Sequence, residues 1–273
     1  MREIPFAVLL DLQLEILSSI DYYCRKRGID YFLTGGSCIG AVRHKGYIPW
    51  DDDIDIGMTR PNYDQFINGF NKEIDEHPNL KVFAPELNWD YYAPYANVCD
   101  IRTILDEGTN GHNGIDIGVK VDVFPVDGIP SDLTSFQAEK KKMRRLWNML
   151  YLKRLIINKD EHSFIWRMNM WVKKALLSII SYERIQKKIK ELAISNKFEE
   201  SSYAIDVVFP WKRDVMCEKE VYEDLIDVDF EQLKVKIVKN YDRYLSLKYG
   251  DYLKLPPENE RMCHHHFKAY WKD

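Results

Sequence analysis

The stretch PWDDDIDIGM, residues 49–58, decides how this chain is read. Asp51, Asp52, Asp53 and Asp55 crowd together, and apolar residues then alternate at Ile54, Ile56 and Met58. The alternation predicts a strand over residues 52–58, with Asp51, Asp53 and Asp55 on one face and Ile54 and Ile56 turned into the core. Carboxylates two apart on a strand sit roughly 6.5–7 Å apart at Cα, near enough for Asp53 and Asp55 to grip one divalent ion. Without a counter-charge they repel each other and resist desolvation. Mg²⁺ or Mn²⁺, which take oxygen ligands, would relieve both effects. A solvated acidic turn is the plainer alternative. An EF-hand loop starting at Asp51 would need Gly and Glu where the chain has Ile56 and Asn62, so that option fails. A DxD pair of the glycosyltransferase kind fits the spacing equally well.

Upstream, IDYFL (29–33) reads as a short buried strand, TGGS (34–37) as a turn, and CIGAVRHKG (38–46) as a short helix stopped by Gly46. Gly35 and Gly36 let the backbone approach a ligand, amides opening the next helix can hold phosphate, and Ser37 adds a hydroxyl. Taken alone, the pair is also an ordinary turn. Downstream, GVKVDVFPVDG (118–128) reads as an apolar strand carrying a third carboxylate, Asp122. A charge there needs a partner, and a metal shared with Asp53 and Asp55 would be one; a strand edge facing water is the alternative.

Further out, helical spacing predicts a helix over residues 7–27 ending before Gly28, and Pro61 opens another over 61–74. Strands are expected at 81–85 and 95–103. Residues 133–200 are nearly free of Gly and Pro and read as helical, and 201–273 as short strands with a helix around 231–248. The predicted architecture is α/β (α+β): a mixed-sheet core over 1–130, a basic helical insertion over 131–200, and a section over 201–273 that packs back to complete one unit.

The chain has 273 residues, 45% of them hydrophobic, which is ample for a large core. A net charge of −4 argues against general nucleic-acid binding, and no RNA-binding motif is present. Five cysteines, odd in number and without CxxC, suit a reducing cytoplasm rather than a disulfide framework or zinc ribbon. The N-terminal residues do not read as a signal peptide, and no run of 18 apolar residues would span a bilayer. Residues 139–200 carry 16 Lys/Arg against 7 Asp/Glu. Such a stretch either lies on an anionic membrane surface or packs one stripe and solvates the rest.

FLTGGSCIGAVRHKGYIPWDDDIDIGM, YANVCDIRT, VDVFPVDG and YGDYLKLPP with its following histidines occur in order over about residues 10–265. Together they resemble the signature of the LicD family, a branch of the nucleotidyltransferase fold that includes fukutin-related ribitol-phosphate transferases. The resemblance implies a nucleotidyltransferase-like core and metal-dependent transfer of phosphocholine from CDP-choline to a hydroxyl of a teichoic-acid or lipopolysaccharide precursor, releasing CMP. CDP-ribitol or CDP-glycerol as donor, nucleotidyl transfer with pyrophosphate release, and an inactive envelope scaffold are the alternatives. It implies Asp53, Asp55 and Asp122 as catalytic residues that with Asp51 hold Mg²⁺ or Mn²⁺, Asp122 serving also as general base. Gly35, Gly36 and Ser37 would cradle phosphate, and Arg43 and Lys45 would neutralise developing charge. The acceptor would be lipid-linked, at the cytoplasmic face of the membrane.

Trp50 beside the acids is placed to stack on cytosine. Tyr92, with Trp89, Tyr91 and Tyr95, offers either a cation–π cage for choline or core packing, which 17 tyrosines favour. Where the family often has Lys the chain has Asn97; if that Lys touches phosphate, the resemblance implies another cation here, Arg102 or Lys120. His264, His265 and His266 either line the site or end a helix. As consecutive residues they diverge and make a poor metal site.

Overall fold

A computed structural model of the chain describes residues 1–272 except 74–75, 109–110, 158–162, 210–213 and 262–266. In chain order the elements are β1 (Arg2–Glu3), α1 (Phe6–Arg27), β2 (Phe32–Leu33), α2 (Gly35–His44), β3 (Asp55–Thr59), α3 (Arg60–Gly69), β4 (Leu80–Phe83), β5 (Ala96–Asp100), β6 (Thr103–Asp106) and β7 (Lys120–Ile129). There follow α4 (Leu133–Arg154), α5 (Phe164–Ser178), α6 (Tyr182–Ala193), β8 (Tyr203–Ile205), β9 (Cys217–Glu218), β10 (Leu225–Phe230), β11 (Leu233–Val238), α7 (Tyr241–Tyr249) and β12 (Lys268–Trp271). The fold is mixed α/β.

Leu9, Leu12, Ile16, Ile20 and Tyr23 recur at helical spacing on α1 and are buried against the sheet. Each such Leu or Ile contributes roughly 1.5–3 kcal/mol relative to exposure. The helix ends as its sequence predicts: Gly28 is left-handed, φ 65°, and returns its N–H to Cys24 O. The sheet runs β2-β3-β7-β5-β4, with β8 joining the far end of β7 and β9 joining β8. Only β3 and β7 pair in parallel within that order; their neighbours pair antiparallel. β8 ties residues beyond 200 into the sheet, and β12 pairs with both β1 and β6.

Three polar caps start the helices of the middle section. Asp132 accepts from Ser135 N–H, Ser163 from Trp166 N–H and Ser181 from Arg184 N–H. Met143 and Leu150 of α4 and Ile185 and Ile189 of α6 pack with Phe124 of β7.

Two local expectations change. Residues 233–238, expected in a helix, form β11: LKVKIV alternates with period two, burying Val235 and Ile237 while Lys234 and Lys236 face outward. Gly35, Gly36 and Ser37, expected as a turn, are the first helical residues of α2, which ends at His44 with Lys45 left-handed at φ 60°.

Candidate active site

β3 and β7 run side by side with Asp55 opposite Asp122, and Asn97 of β5 faces Asp122 from the other flank. Paired residues project to the same face, so Asp55, Asp122 and Asn97 form a row across three strands. Ile54 and Ile56, fully buried, point the other way. The strand starts only at Asp55, so the strict alternation expected over 52–58 does not hold, and residues 51–54 form a loop. Asp52 is drawn into the same cluster: carboxylate oxygens of Asp51, Asp52 and Asp53 lie within 4.8 Å of one another. Gln13, buried on α1, fixes this loop by donating to Asp52 O at 3.0 Å, and Tyr47 Oη donates in turn to Gln13 at 3.1 Å.

The glycine loop closes over the acids. Thr34 N–H donates to Asp55 O at 3.0 Å, and Asp55 N–H donates to Ser37 Oγ at 2.9 Å. Gly35 has φ 58°, and a Cβ there would stand 2.9 Å from the Asp55 carboxylate. A Cβ at Gly36 would collide with the Asp51 carboxylate. The helix N-terminus, with its outward N–H groups and positive dipole end, therefore lies directly against the acids.

Lys120 and Asp122, two apart on β7, share a face: Lys120 Nζ lies 2.8 and 3.1 Å from the two Asp122 oxygens. Asn97 Nδ2 also donates to Asp122, while the hydroxyls of Tyr91 and Tyr92 donate to Asn97 Oδ1. Glu107 lies 3.9 Å from Lys120, 3.3 Å from His112 and 3.0 Å from Arg154. Burial opposes the charge of Lys120, yet Asp122 and its other negative neighbours hold its pKa well above the ordinary lysine value. Burial would also raise Glu107, but His112, 3.3 Å away, and the charges of Lys120 and Arg154 bring it down to about 2. Asp55 goes the opposite way. Desolvation lifts its carboxyl well above the usual range, and Asp53, Asp122 and Asp51 add to the rise against Lys120.

This donor set fits a divalent cation. Hard oxygen ligands gather on the loop at Asp51, Asp52 and Asp53, with Asp55 and Asp122 paired on the strands beside them, and the repulsion that Asp55 feels from its acidic neighbours is what a bound ion would offset. Mg²⁺ and Mn²⁺ match that chemistry.

The remaining expected residues fall elsewhere. Arg43 donates to Tyr252 O and to His44, beside Arg261, and both burial and Arg261 lower its pKa. Trp50 lies edge-on to His44 at 6.4 Å, with the Arg261 guanidinium 5.7 Å from its ring. Lys45 is exposed and turned toward the β10–β11 turn, where its carbonyl accepts from Glu231 N–H. Tyr91 and Tyr92 are buried, and the Tyr92 ring faces Arg154 at 4.3 Å, so they form the wall behind Asn97 rather than an open cage. Arg102 is bound to Asp100. His264, His265 and His266 lie outside the described residues. Sequence reasoning missed Asp52, whose nearness to the set depends on the strand's true start. It also missed a buried chain from 210 positions away: Lys248 donates to Asp206 at 3.1 Å and to Tyr244 Oη at 2.8 Å, and Tyr244 Oη meets Thr34 Oγ1 at the head of α2.

The family model for LicD/FKTN/FKRP, nucleotidyltransferase domain, matches residues 28–143. The lipopolysaccharide cholinephosphotransferase LicD of Haemophilus influenzae is 31% identical over 272 residues, covering 96% of this chain and 97% of that protein. The human ribitol 5-phosphate transferase FKRP is 55% identical over 31 residues, 11% of this chain and 6% of that protein. An uncharacterised protein of Rickettsia prowazekii is 54% identical over 33 residues, 12% of each chain.

Proposed function

The chain belongs to the LicD family, and from that premise we propose that it is a metal-dependent transferase moving phosphocholine from CDP-choline to a hydroxyl of a lipopolysaccharide or teichoic-acid precursor. The observation that carries this reading is the pairing of Asp55 with Asp122 beneath a glycine-opened helix. Similarity to a cholinephosphotransferase along nearly the whole chain supports the choice of phosphocholine.

In this reading Asp51, Asp53, Asp55 and Asp122 would hold Mg²⁺ or Mn²⁺, with Asp52 adjoining. The ion, when bound, neutralises diphosphate charge and makes the transferring phosphorus more electrophilic. The chain's own groups do the rest. N–H groups of Gly36 and Ser37 at the α2 N-terminus cradle the diphosphate. Lys120 and Asn97 fix the orientation of Asp122. Lys120 supplies the positive charge that the family often places at the Asn97 position. In the same reading Arg43 would neutralise charge on the leaving CMP and Trp50 would stack on its cytosine. The acceptor oxygen forms a bond to the choline-bearing phosphorus as the bond to CMP breaks in line, and the acceptor proton passes to Asp122 or to solvent. We place the chain in the cytoplasm, at the inner face of the membrane carrying a lipid-linked acceptor.

Calorimetry with Mn²⁺ present, comparing CDP-choline, CDP-ribitol and CDP-glycerol, tests the donor. CDP-choline binding at least about tenfold more tightly is expected; tighter CDP-ribitol binding would replace phosphocholine by ribitol phosphate, and pyrophosphate release from a nucleoside triphosphate would replace the reaction class.

A further inference from the structure

α5 is an apolar helix with its back to the protein. Phe164, Ile165, Met168, Trp171, Val172 and Leu176 are between 54% and 76% exposed, and Ile179 beyond them extends the patch. At 3.6 residues per turn they fall in one arc about 140° wide. The opposite arc holds the half-buried Trp166 and Met170 and the buried Leu177, and this side packs on α4. Among the described residues of α5, only Leu177 is buried.

The two helices are held by reciprocal caps. Lys153 of α4 donates to the α5-terminal carbonyls of Leu177 and Ile180, at 3.4 and 2.7 Å. Lys174 of α5 donates to Lys153 O and Leu155 O at the end of α4, at 3.3 and 2.6 Å. Lysines at helix C-termini satisfy the orphan carbonyls and favour the dipole. The caps hold the apolar arc of α5 facing away from α4. Next to them, Arg154 reaches the wall of the acid site through Glu107 and Tyr92.

Charge identifies the occupant of that arc. Arg167 and Lys174 lie along one edge of the arc and Lys173 along the other, and no acid occurs between Ser163 and Tyr182. α4 adds exposed Lys141, Lys142, Arg144 and Arg145. A second copy docking face to face would bring two acid-free basic rims together. An anionic surface would attract them while the apolar arc leaves water. No described helix is long and apolar enough to cross a membrane. We propose that α5 is an interfacial helix, lying in the headgroup layer of an anionic lipid bilayer with Ile165, Trp171 and Leu176 inserted. The proposal deepens the membrane placement of the transferase reading, and its test needs no donor or acceptor, so the transferase chemistry and the lipid contact can fail separately.

Co-sedimentation of the full chain with phosphatidylcholine vesicles, with and without phosphatidylglycerol, tests it. The expected result is binding at least about tenfold tighter to the anionic vesicles, reversed by salt, and about fivefold weaker for Lys173→Gln. Trp171→Asp with Leu176→Asp, at exposed positions, is expected to keep the wild-type circular dichroism spectrum and lose binding by about tenfold or more. Ile165→Asp alone gives the same reading should the double variant unfold. Wild-type protein that ignores anionic vesicles, or variants that bind as well as wild type, would overturn the proposal. So would a wild-type dimer, in sedimentation velocity, that the variants make monomeric, because the arc would then belong to a second copy.

Discussion

Lys120 grips Asp122 through both carboxylate oxygens, from two residues away on the same face of β7. Asn97, across the strand pair, adds a neutral amide to the same carboxylate. The positive charge of the site therefore sits on β7 rather than on β5. Lys120→Met is expected to lower turnover about 10²–10³-fold with a smaller change in donor KM, read by CMP release from CDP-choline. Arg102→Met, on the Asp100 side, is expected to leave turnover near wild type. Asn97→Lys added to Lys120→Met is expected to recover part of the lost rate by returning a cation to the Asp122 carboxylate from β5.

The acids predict opposite effects on stability and activity. Asp55 is desolvated among Asp53, Asp122 and Asp51, so its charge opposes folding when no cation is bound. In chelator at neutral pH, Asp55→Asn is expected to melt a few degrees higher than wild type, about 1 kcal/mol, while its transfer activity falls by about 10³-fold or more. Mn²⁺ is expected to raise the wild-type melting temperature and to raise that of the variant much less. A variant that melts lower in chelator and is stabilised equally by Mn²⁺ would remove Asp55 from the metal set.

What the sequence disclosed was local. The end of α1 at Gly28 depends on neighbours in the chain and lies where short-range chemistry puts it, whereas the glycine pair, expected as a turn, opens α2. The errors arose where short-range cues conflicted or tertiary pairing decided. Residues 231–240 carry enough Lys and Leu to suggest a helix, but period-two burial of Val235 and Ile237 makes a strand. A strand over 52–58 leaves Asp52 off the face of Asp51, Asp53 and Asp55, whereas a strand that starts at Asp55 leaves Asp52 in the loop beside Asp51 and Asp53. Lys120 and Arg102 are open as alternatives in the sequence, and only the folded chain puts Lys120 on the Asp122 carboxylate and Arg102 on Asp100. The link from Lys248 through Tyr244 to Thr34 has no sequence signal, since its ends are more than 200 residues apart.

Glu107 provides the pH prediction. Its pKa lies at about 2, below the ordinary 4.5, with His112, Lys120 and Arg154 outweighing burial. A depressed acid stabilises the fold fully above its unfolded pKa, and that contribution is lost as pH falls from about 4.5 toward about 2. By about pH 3 roughly 2 kcal/mol should be gone from this group alone. Glu107→Gln is expected to be less stable than wild type near neutrality and to lose less between about pH 6 and pH 3, measured by urea unfolding at each pH. Parallel pH slopes for the two proteins would show that Glu107 is not held by these cations.

Arg60 and Asp127 form a two-pronged buried pair, with Nε and Nη2 each 2.7 Å from a carboxylate oxygen. Asp127 is also where β7 passes to β8, opposite Ile205, so the pair lies at the junction of the core with the C-terminal section. Glu86 stands 3.5 Å from Arg60 but does not replace a bidentate partner. Asp127→Ala strands a buried guanidinium and is expected to lower unfolding free energy by about 3–5 kcal/mol. Replacing both ends by apolar residues, Arg60→Met with Asp127→Leu, is expected to recover most of that loss, because neither charge is then desolvated. Urea midpoints for the single and double variants check the pair. If the double variant is no better than Asp127→Ala, the junction depends on the hydrogen-bonded geometry itself and not on charge compensation.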